Sequence, residues 1–212
     1  KFYQAVCAYM VNASDAEMLL AKFIDETSSG QYEAQAYFYL GKYYFANGNF
    51  KEALACFSKS DTRNLTEEEA DELNFKLGYS NFTNKQWNDA KTALAKIIDK
   101  KNSAYYHPAN YYYGFISLQQ QNYNSAIASF NRLDKHKTYS PYIPYYTALI
   151  YYYQNRYNEL LEYAEPRINQ PGVQHQTELN QLVGLVHFNK GNFEKALPFL
   201  EFYESKSKKL SG

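Results

Sequence analysis

Apolar residues recur at helical spacing along most of the chain, and the pattern itself repeats. Five stretches align without a gap: GNFKEALACF (48–57), KQWNDAKTAL (85–94), QNYNSAIASF (121–130), NRYNELLEYA (155–164) and GNFEKALPFL (191–200). The third residue of each is aromatic: Phe50, Trp87, Tyr123, Tyr157 and Phe193. Three residues on come Ala53, Ala90, Ala126, Leu160 and Ala196, and four beyond those Phe57, Leu94, Phe130, Ala164 and Leu200. Steps of three and four put such residues on one face of a helix. Nine residues before each aromatic stands a second marker, Gly41, Gly78, Gly114, Ala148 and Gly184, at intervals of 37, 36, 34 and 36 residues. A fixed period of this length predicts an array of helical hairpins, one per period.

Within a unit, Leu40, Gly41 and Tyr44 share a face of the first helix. A glycine inside a helix costs about 1 kcal/mol relative to alanine. Its recurrence predicts a packing need: the second helix comes so close that a Cβ would clash, with Ala53, Ala90, Ala126 and Ala196 as the matching small residues. The turns between the two helices read NGN, TNKQ, QQQN, QNR and NKGN, rich in residues that tolerate the left-handed conformation ending a helix. Pro108 is expected before the third unit's first helix, and Pro141 and Pro144 at the start of the fourth's. Pro198 falls inside a second helix and predicts a mild kink. The units expected are a partial one over 1–30, then 31–66, 67–103, 104–138, 139–173 and 174–209, all in a single domain over 1–212.

This pattern resembles the tetratricopeptide repeat family. Leu40-Gly41, Tyr44, Ala53 and Phe57 reproduce the family spacing, and Leu77-Gly78 with Ala90 and Leu94 repeats it. Tyr113-Gly114, Ala126 and Phe130, then Val183-Gly184, Ala196 and Leu200, keep it; the fourth unit is degenerate, with Ala148 and Leu160 at those sites. Upstream, Ala16 and Leu20 stand one interval of 37 before Ala53 and Phe57, most of a sixth unit whose first helix is cut short. The resemblance implies an all-α, right-handed superhelical solenoid of about six antiparallel helix pairs. It also implies a concave groove lined by first helices and used for recognition.

The family turns three first-helix positions toward that groove: three before, one after and four after the glycine site. Here they are Phe38, Lys42, Phe45; Phe75, Tyr79, Phe82; Tyr111, Phe115, Leu118; Tyr145, Leu149, Tyr152; and Gln181, Leu185, Phe188. Ten of the fifteen are aromatic in a chain that is 18% aromatic, so the expected groove is a sticky one. The candidate protein-binding residues are Phe38, Lys42, Phe75, Tyr79, Phe82, Tyr111, Phe115, Tyr145 and Tyr152, because a tyrosine offers a rigid ring with a polar tip. The same rings could instead be packing between repeats, which would make the chain a passive structural spacer. The clamp that some family members close on chaperone carboxylates finds only Lys42 here, beside Phe38, Phe75 and Pro108. The expected ligand is an extended or helical protein segment, or an adjacent domain of the same polypeptide.

Composition narrows the rest. With 22 basic and 22 acidic residues the chain has no net field to draw in nucleic acid or an anionic membrane, and the groove interleaves only Lys42 with its rings, so no nucleic-acid partner is expected. No apolar run is long enough to span a bilayer. Carbohydrate stacking on the tyrosines is a lesser alternative, with Gln35, Glu72, Gln119, Glu178 and Gln181 as candidate polar contacts. The phosphate-loop, zinc-helix and nucleophile-elbow motifs are missing, so neither catalysis nor a cofactor nor a metal is expected. His107, His136, His175 and His187 share no spacing, and His187 reads as a packed core residue. Cys7 and Cys56 read as small buried residues. Carboxylates in TEEEADE (66–72) suit a helix start, with Thr66 and Glu69 as a capping box, and the KSKK run (206–209) suits a helix end.

The chain opens inside a repeat and closes without a polar capping helix, which predicts a fragment of a longer protein or self-association through end faces. Sequons begin at Asn12, Asn64 and Asn81, but Asn81 occupies the packing site of Tyr44, which argues against a eukaryotic secreted origin. The Tyr- and Asn-rich character resembles bacterial cell-envelope repeat proteins, implying a periplasmic side, with cytoplasm as the alternative.

Overall fold

The structure, a computed structural model, describes residues 1–27 and 31–207. Lys208 and Lys209 of the basic run, and residues 28–30 at the first unit boundary, lie outside the described residues. Among those described are twelve α-helices, one 3-10 turn (Ser140–Tyr142) and no strand. The all-α expectation holds. In chain order they are α1 (Phe2–Met10), α2 (Ala16–Glu26), α3 (Gln31–Ala46), α4 (Phe50–Phe57), α5 (Glu67–Thr83), α6 (Trp87–Ala95), α7 (Tyr106–Gln119), α8 (Tyr123–Asn131), α9 (Ile143–Tyr153), α10 (Tyr157–Ala164), α11 (Gln176–Asn189) and α12 (Phe193–Ser207). They form two compact units, Lys1–Ile116 and Ser117–Gly212. In the first unit α1 packs on α2, α3 on α4 and α5 on α6; in the second, α9 packs on α10 and α11 on α12.

The glycine sites work as their recurrence requires, with one refinement. A Cβ on Gly41 would sit 2.5 Å from the Phe57 ring, one on Gly78 2.7 Å from Leu94 and 3.3 Å from the Ala90 carbonyl, and one on Gly184 2.7 Å from Leu200. The group that fills each gap is thus the large residue four places beyond the alanine. Ala53, Ala90 and Ala196 are buried beside it and let the second helix come near enough for that side chain to reach.

The turns obey a rule that ignores residue type. In every unit the residue two before the marker aromatic is left-handed: Gly48, Lys85, Gln121, Asn155 and Gly191. The next amide then donates to the carbonyl five residues back, as in Asn49 to Tyr44 (2.9 Å), Gln86 to Asn81 (2.9 Å) and Asn122 to Ser117 (2.8 Å). This is a Schellman closure, and its left-handed residue is cheapest as glycine. A side chain there costs about 1–2 kcal/mol, partly offset because glycine loses more entropy on folding. Lys85→Gly and Gln121→Gly are each expected to raise stability by about 0.5–1 kcal/mol. In contrast, Lys51→Gly inside α4 is expected to lower it by about 1 kcal/mol. Chemical denaturation of the three variants checks the contrast.

In the first unit, Phe2, Leu20, Phe38, Leu40, Phe57 and Leu73 share a buried cluster, and Leu94, Ile97 and Ile116 anchor another. In the second, Leu160, Ile168, Leu179 and Val183 do the same. Asn74, Asn110 and Asn180, each four residues before a glycine site, are buried in all three units where they occur. Each spends its amide on the carbonyl four residues back: Ala70 (2.7 Å), Tyr106 (2.8 Å) and Gln176 (2.7 Å). Asn110 also reaches the Ile98 carbonyl at 3.0 Å, tying α7 to the preceding connection.

Particular expectations fare differently. Thr66 and Glu69 form the reciprocal capping box, and Pro141 and Pro144 stand at the start of the 3-10 turn and of α9. Pro108 lies in the first turn of α7 rather than before it. His187 is packed, 4% exposed, with Nε2 2.7 Å from Glu165. Asn81 is buried, while Asn12 and Asn64 are exposed. Cys56 is buried, but Cys7 is exposed, because in the short α1 only Phe2 and Ala5 turn fully inward.

Candidate protein-binding surface

In the first unit the first helices set aromatic side chains beside one another where successive repeats meet. These rings form one connected layer. The Tyr79 ring, on α5, lies 5.5 Å from Phe45, 5.3 Å from Phe50, 6.4 Å from Phe82 and 5.0 Å from Tyr112. Phe75 stacks on Tyr105 at 5.0 Å. Phe82 meets Trp87 at 5.3 Å, Tyr112 at 4.9 Å and Phe115 at 5.8 Å, and Tyr111 meets Tyr112 at 5.3 Å. Phe75, Tyr79, Phe82, Tyr111 and Phe115 are all half-buried.

Two of the candidates stand elsewhere than expected. Phe38 is fully buried in the first unit's core cluster, with the Lys42 ammonium 5.0 Å over its ring and Tyr39 at 5.3 Å. Lys42 is no open groove cation. Its Nζ donates to Glu72 Oε2 at 2.8 Å, Lys76 donates to the other oxygen at 2.7 Å, and all three side chains are about 15% exposed. Tyr9, Phe38 and Tyr39 surround the Lys42 ammonium at 5.0 to 5.7 Å in cation–π geometry.

That triad shapes the local electrostatics. Burial pushes the Glu72 carboxyl toward its neutral form, but hydrogen bonds from Lys42 and Lys76 outweigh it and hold the group below the usual carboxylate range. Burial, and then the Glu72 charge, push the Tyr105 phenol up to about 12. Burial and the nearby Glu69 and Glu72 do the same for Tyr39, also to about 12. Both phenols stay protonated across the physiological range, and Tyr39 donates its proton to Glu69 Oε1 at 3.1 Å. Beside the triad a cavity of about 1190 Å³ opens between the start of α5 and the connection after α6, lined by Glu67, Glu68, Asp71, Lys100 and Tyr105 among others. Lys100 ties down Asp71 at 2.7 Å, so the acidic stretch is engaged in pairing and capping.

In the second unit Tyr145 and Tyr152 are likewise half-buried. Tyr152 lies 5.9 Å from Tyr157 and 6.4 Å from Tyr153. Tyr145 lies 5.5 Å from Tyr146 and 4.9 Å from His175, and burial, followed by the Glu178 charge, raises its phenol. His175 has a left-handed backbone at the start of α11, and a left-handed histidine there has no signature in the apolar pattern. Tyr105, Tyr112, Lys76 and His175 are the neighbours that the three-position rule missed. A rule built on one helix cannot see which residues of the adjacent helix fill the spaces between its rings. No three His, Cys, Asp or Glu side chains gather to hold a metal ion among the described residues, and none of the described helices is long and apolar enough to cross a membrane.

Comparison with known proteins agrees with this geometry. Residues 34–60 and 72–103 each match the tetratricopeptide repeat family. Among solved structures the chain superposes on MamA AMB-1 with a TM-score of 0.69 at 11% identity, covering 84% of this chain and 94% of that one. A crystal structure of MamA gives 0.66 at 21% identity, covering 81% and 96%. A MamA RS-1 double mutant gives 0.67 at 14% identity, covering 86% and 98%. At these identities the likeness is one of fold. Among curated protein sequences nothing matches the chain.

Proposed function

We propose, from the premise that the chain is built of tetratricopeptide repeats, that it is a non-catalytic protein-interaction scaffold whose half-buried first-helix rings hold a segment of another protein or of an adjacent domain. The observation that carries this reading is the connected layer of Tyr79, Phe82, Tyr111, Tyr112 and Phe115. A half-buried ring is already held in place by its neighbours, so what remains of it at the surface meets an apolar side chain at little further entropic cost. The tyrosine hydroxyls supply donors for the backbone of the bound segment. Lys42 takes no direct part: its charge is spent on Glu72.

The single tryptophan offers a direct probe, because Trp87 touches Phe82 at 5.3 Å. A peptide selected from a display library on this chain is expected to change Trp87 emission on binding. Tyr111→Ser combined with Phe115→Ser is expected to weaken that binding by about thirtyfold or more, the scale of a lost hot spot, with helical circular dichroism preserved. Unchanged affinity in the double variant would remove the rings from the recognition role and leave them as packing between repeats.

A further inference from the structure

In two repeats the residue three after the glycine site is a ring that reaches back to a carboxylate beside the preceding second helix. Tyr44 donates its hydroxyl proton to Glu17 Oε1 of α2 at 2.8 Å. His187 brings Nε2 to 2.7 Å from Glu165 Oε1, at the end of α10. The unit over 67–103 keeps neither half of this contact. Asn81 stands where the ring would be. Glu17 lies one residue after Ala16 and Glu165 five after Leu160; the same steps from Ala53 reach Leu54 and Ser58, which carry no charge.

A cavity of about 450 Å³ opens where the contact is lost, lined by Leu54, Ser58, Leu77, Asn81, Asp89 and Lys96 among others. All of these belong to the first unit. Asn81 is 4% exposed, yet its side-chain amide has no hydrogen-bond partner among the described residues. A buried amide in that state is costly unless a further group pairs with it. The volume lies in the range of ligand sites and exceeds what one ring fills. At the rim, Asp89 and Lys96 are both exposed, and neither forms an ion pair among the described residues. They stand seven residues apart on α6 and its C-terminal cap, about 10 Å along the helix axis. An extended chain covers that distance in about three residues.

We propose that this cavity binds a peptide segment carrying a tyrosine between a basic and an acidic residue. The tyrosine takes the place that Tyr44 and His187 fill in their own repeats and pairs its hydroxyl with the Asn81 amide. The two charged residues meet Asp89 and Lys96. The cavity shares no residue with the layer of Tyr79, Phe82, Tyr111, Tyr112 and Phe115, so its fate and that of the proposed function are read separately.

The probe is the terminally blocked tetrapeptide Lys-Tyr-Ala-Glu, added to the 212-residue chain at about millimolar concentration. Nitrogen-15 NMR is expected to show the Asn81 side-chain amide shifting, and saturation transfer from the protein to reach the tyrosine ring of the peptide. Phenylalanine in place of that tyrosine is expected to weaken binding about tenfold, because the Asn81 amide then stays unpaired. Asn81→Tyr combined with Leu54→Glu rebuilds the contact seen at Tyr44 and is expected to abolish the saturation transfer, with helical circular dichroism preserved. Lys96→Glu changes only an exposed residue; it is expected to weaken the tetrapeptide about fivefold and to accept Lys-Tyr-Ala-Lys in its place. Tyr111→Ser with Phe115→Ser is expected to leave all of this unchanged. An unmoved Asn81 amide, equal binding of the phenylalanine peptide, undiminished binding in either cavity variant, or loss of binding in the Tyr111 and Phe115 double variant would each overturn the proposal.

Discussion

Phe57→Ala is expected to destabilise the first unit by about 3–5 kcal/mol, the range for deleting a buried phenylalanine. Phe57 is 1% exposed, and its ring fills the space left by Gly41, where a Cβ would lie 2.5 Å away. Loss of the ring opens a cavity that two helix backbones cannot close. The converse change is informative. In an exposed helix Gly→Ala stabilises by about 1 kcal/mol, but Gly41→Ala is expected to destabilise by about 1–3 kcal/mol, the cost of overpacking. Combined with Phe57→Leu, which draws the side chain back, much of that cost is expected to disappear. Thermal melts of the two single variants and the double variant give the coupling. A rise in melting temperature for Gly41→Ala alone would refute close packing as the reason for the glycine.

Glu72→Gln is expected to have the second largest effect, a loss of about 3 kcal/mol at neutral pH, because it leaves two largely buried ammonium groups facing a neutral amide. Lys42 and Lys76 are 2.8 and 2.7 Å from the Glu72 oxygens. The loss carries a pH signature. The Glu72 carboxyl is held below its ordinary value in the folded chain, so its contribution is fully present above the unfolded value of about 4.3. It is lost as pH falls through the lower folded value. The stability difference between the parent and Glu72→Gln is therefore expected to be constant from neutral pH to about 5 and to shrink below about 4. A difference independent of pH would show that the triad contributes through packing and not through charge.

Period and hairpin pairing were legible from the apolar pattern because each unit repeats the same interior: Gly41 with Phe57, Gly78 with Leu94, Gly184 with Leu200. The turns were legible only in part. Asn and Gly marked them, yet the left-handed position is occupied by Lys85 and Gln121 as readily as by Gly48, since the Schellman geometry is imposed by the helices it joins. The candidate surface was legible position by position, but not in its exposure. Phe38 and Phe75 occupy equivalent sites in successive repeats, and one is core while the other is half-open. Phe38 is enclosed by the first unit's core cluster and by Lys42, which a carboxylate 30 residues away holds over its ring, and a cross-repeat pair of that kind leaves no trace in the periodicity. Cys7 escaped for a related reason: α1 is short, and its outward face meets no other described helix.

On the proposal made above, the half-buried first-helix rings are the surface that recognises another protein. The most direct measurement is the NMR spectrum of the chain with isotope-labelled tyrosine rings, recorded with and without a bound peptide segment. Shifts are expected at Tyr79, Tyr111 and Tyr112, with Tyr163 unmoved, since that ring sits on the second helix α10 under Arg167 at 4.1 Å. Shifts at Tyr163 while the first-helix tyrosines stay still would contradict it.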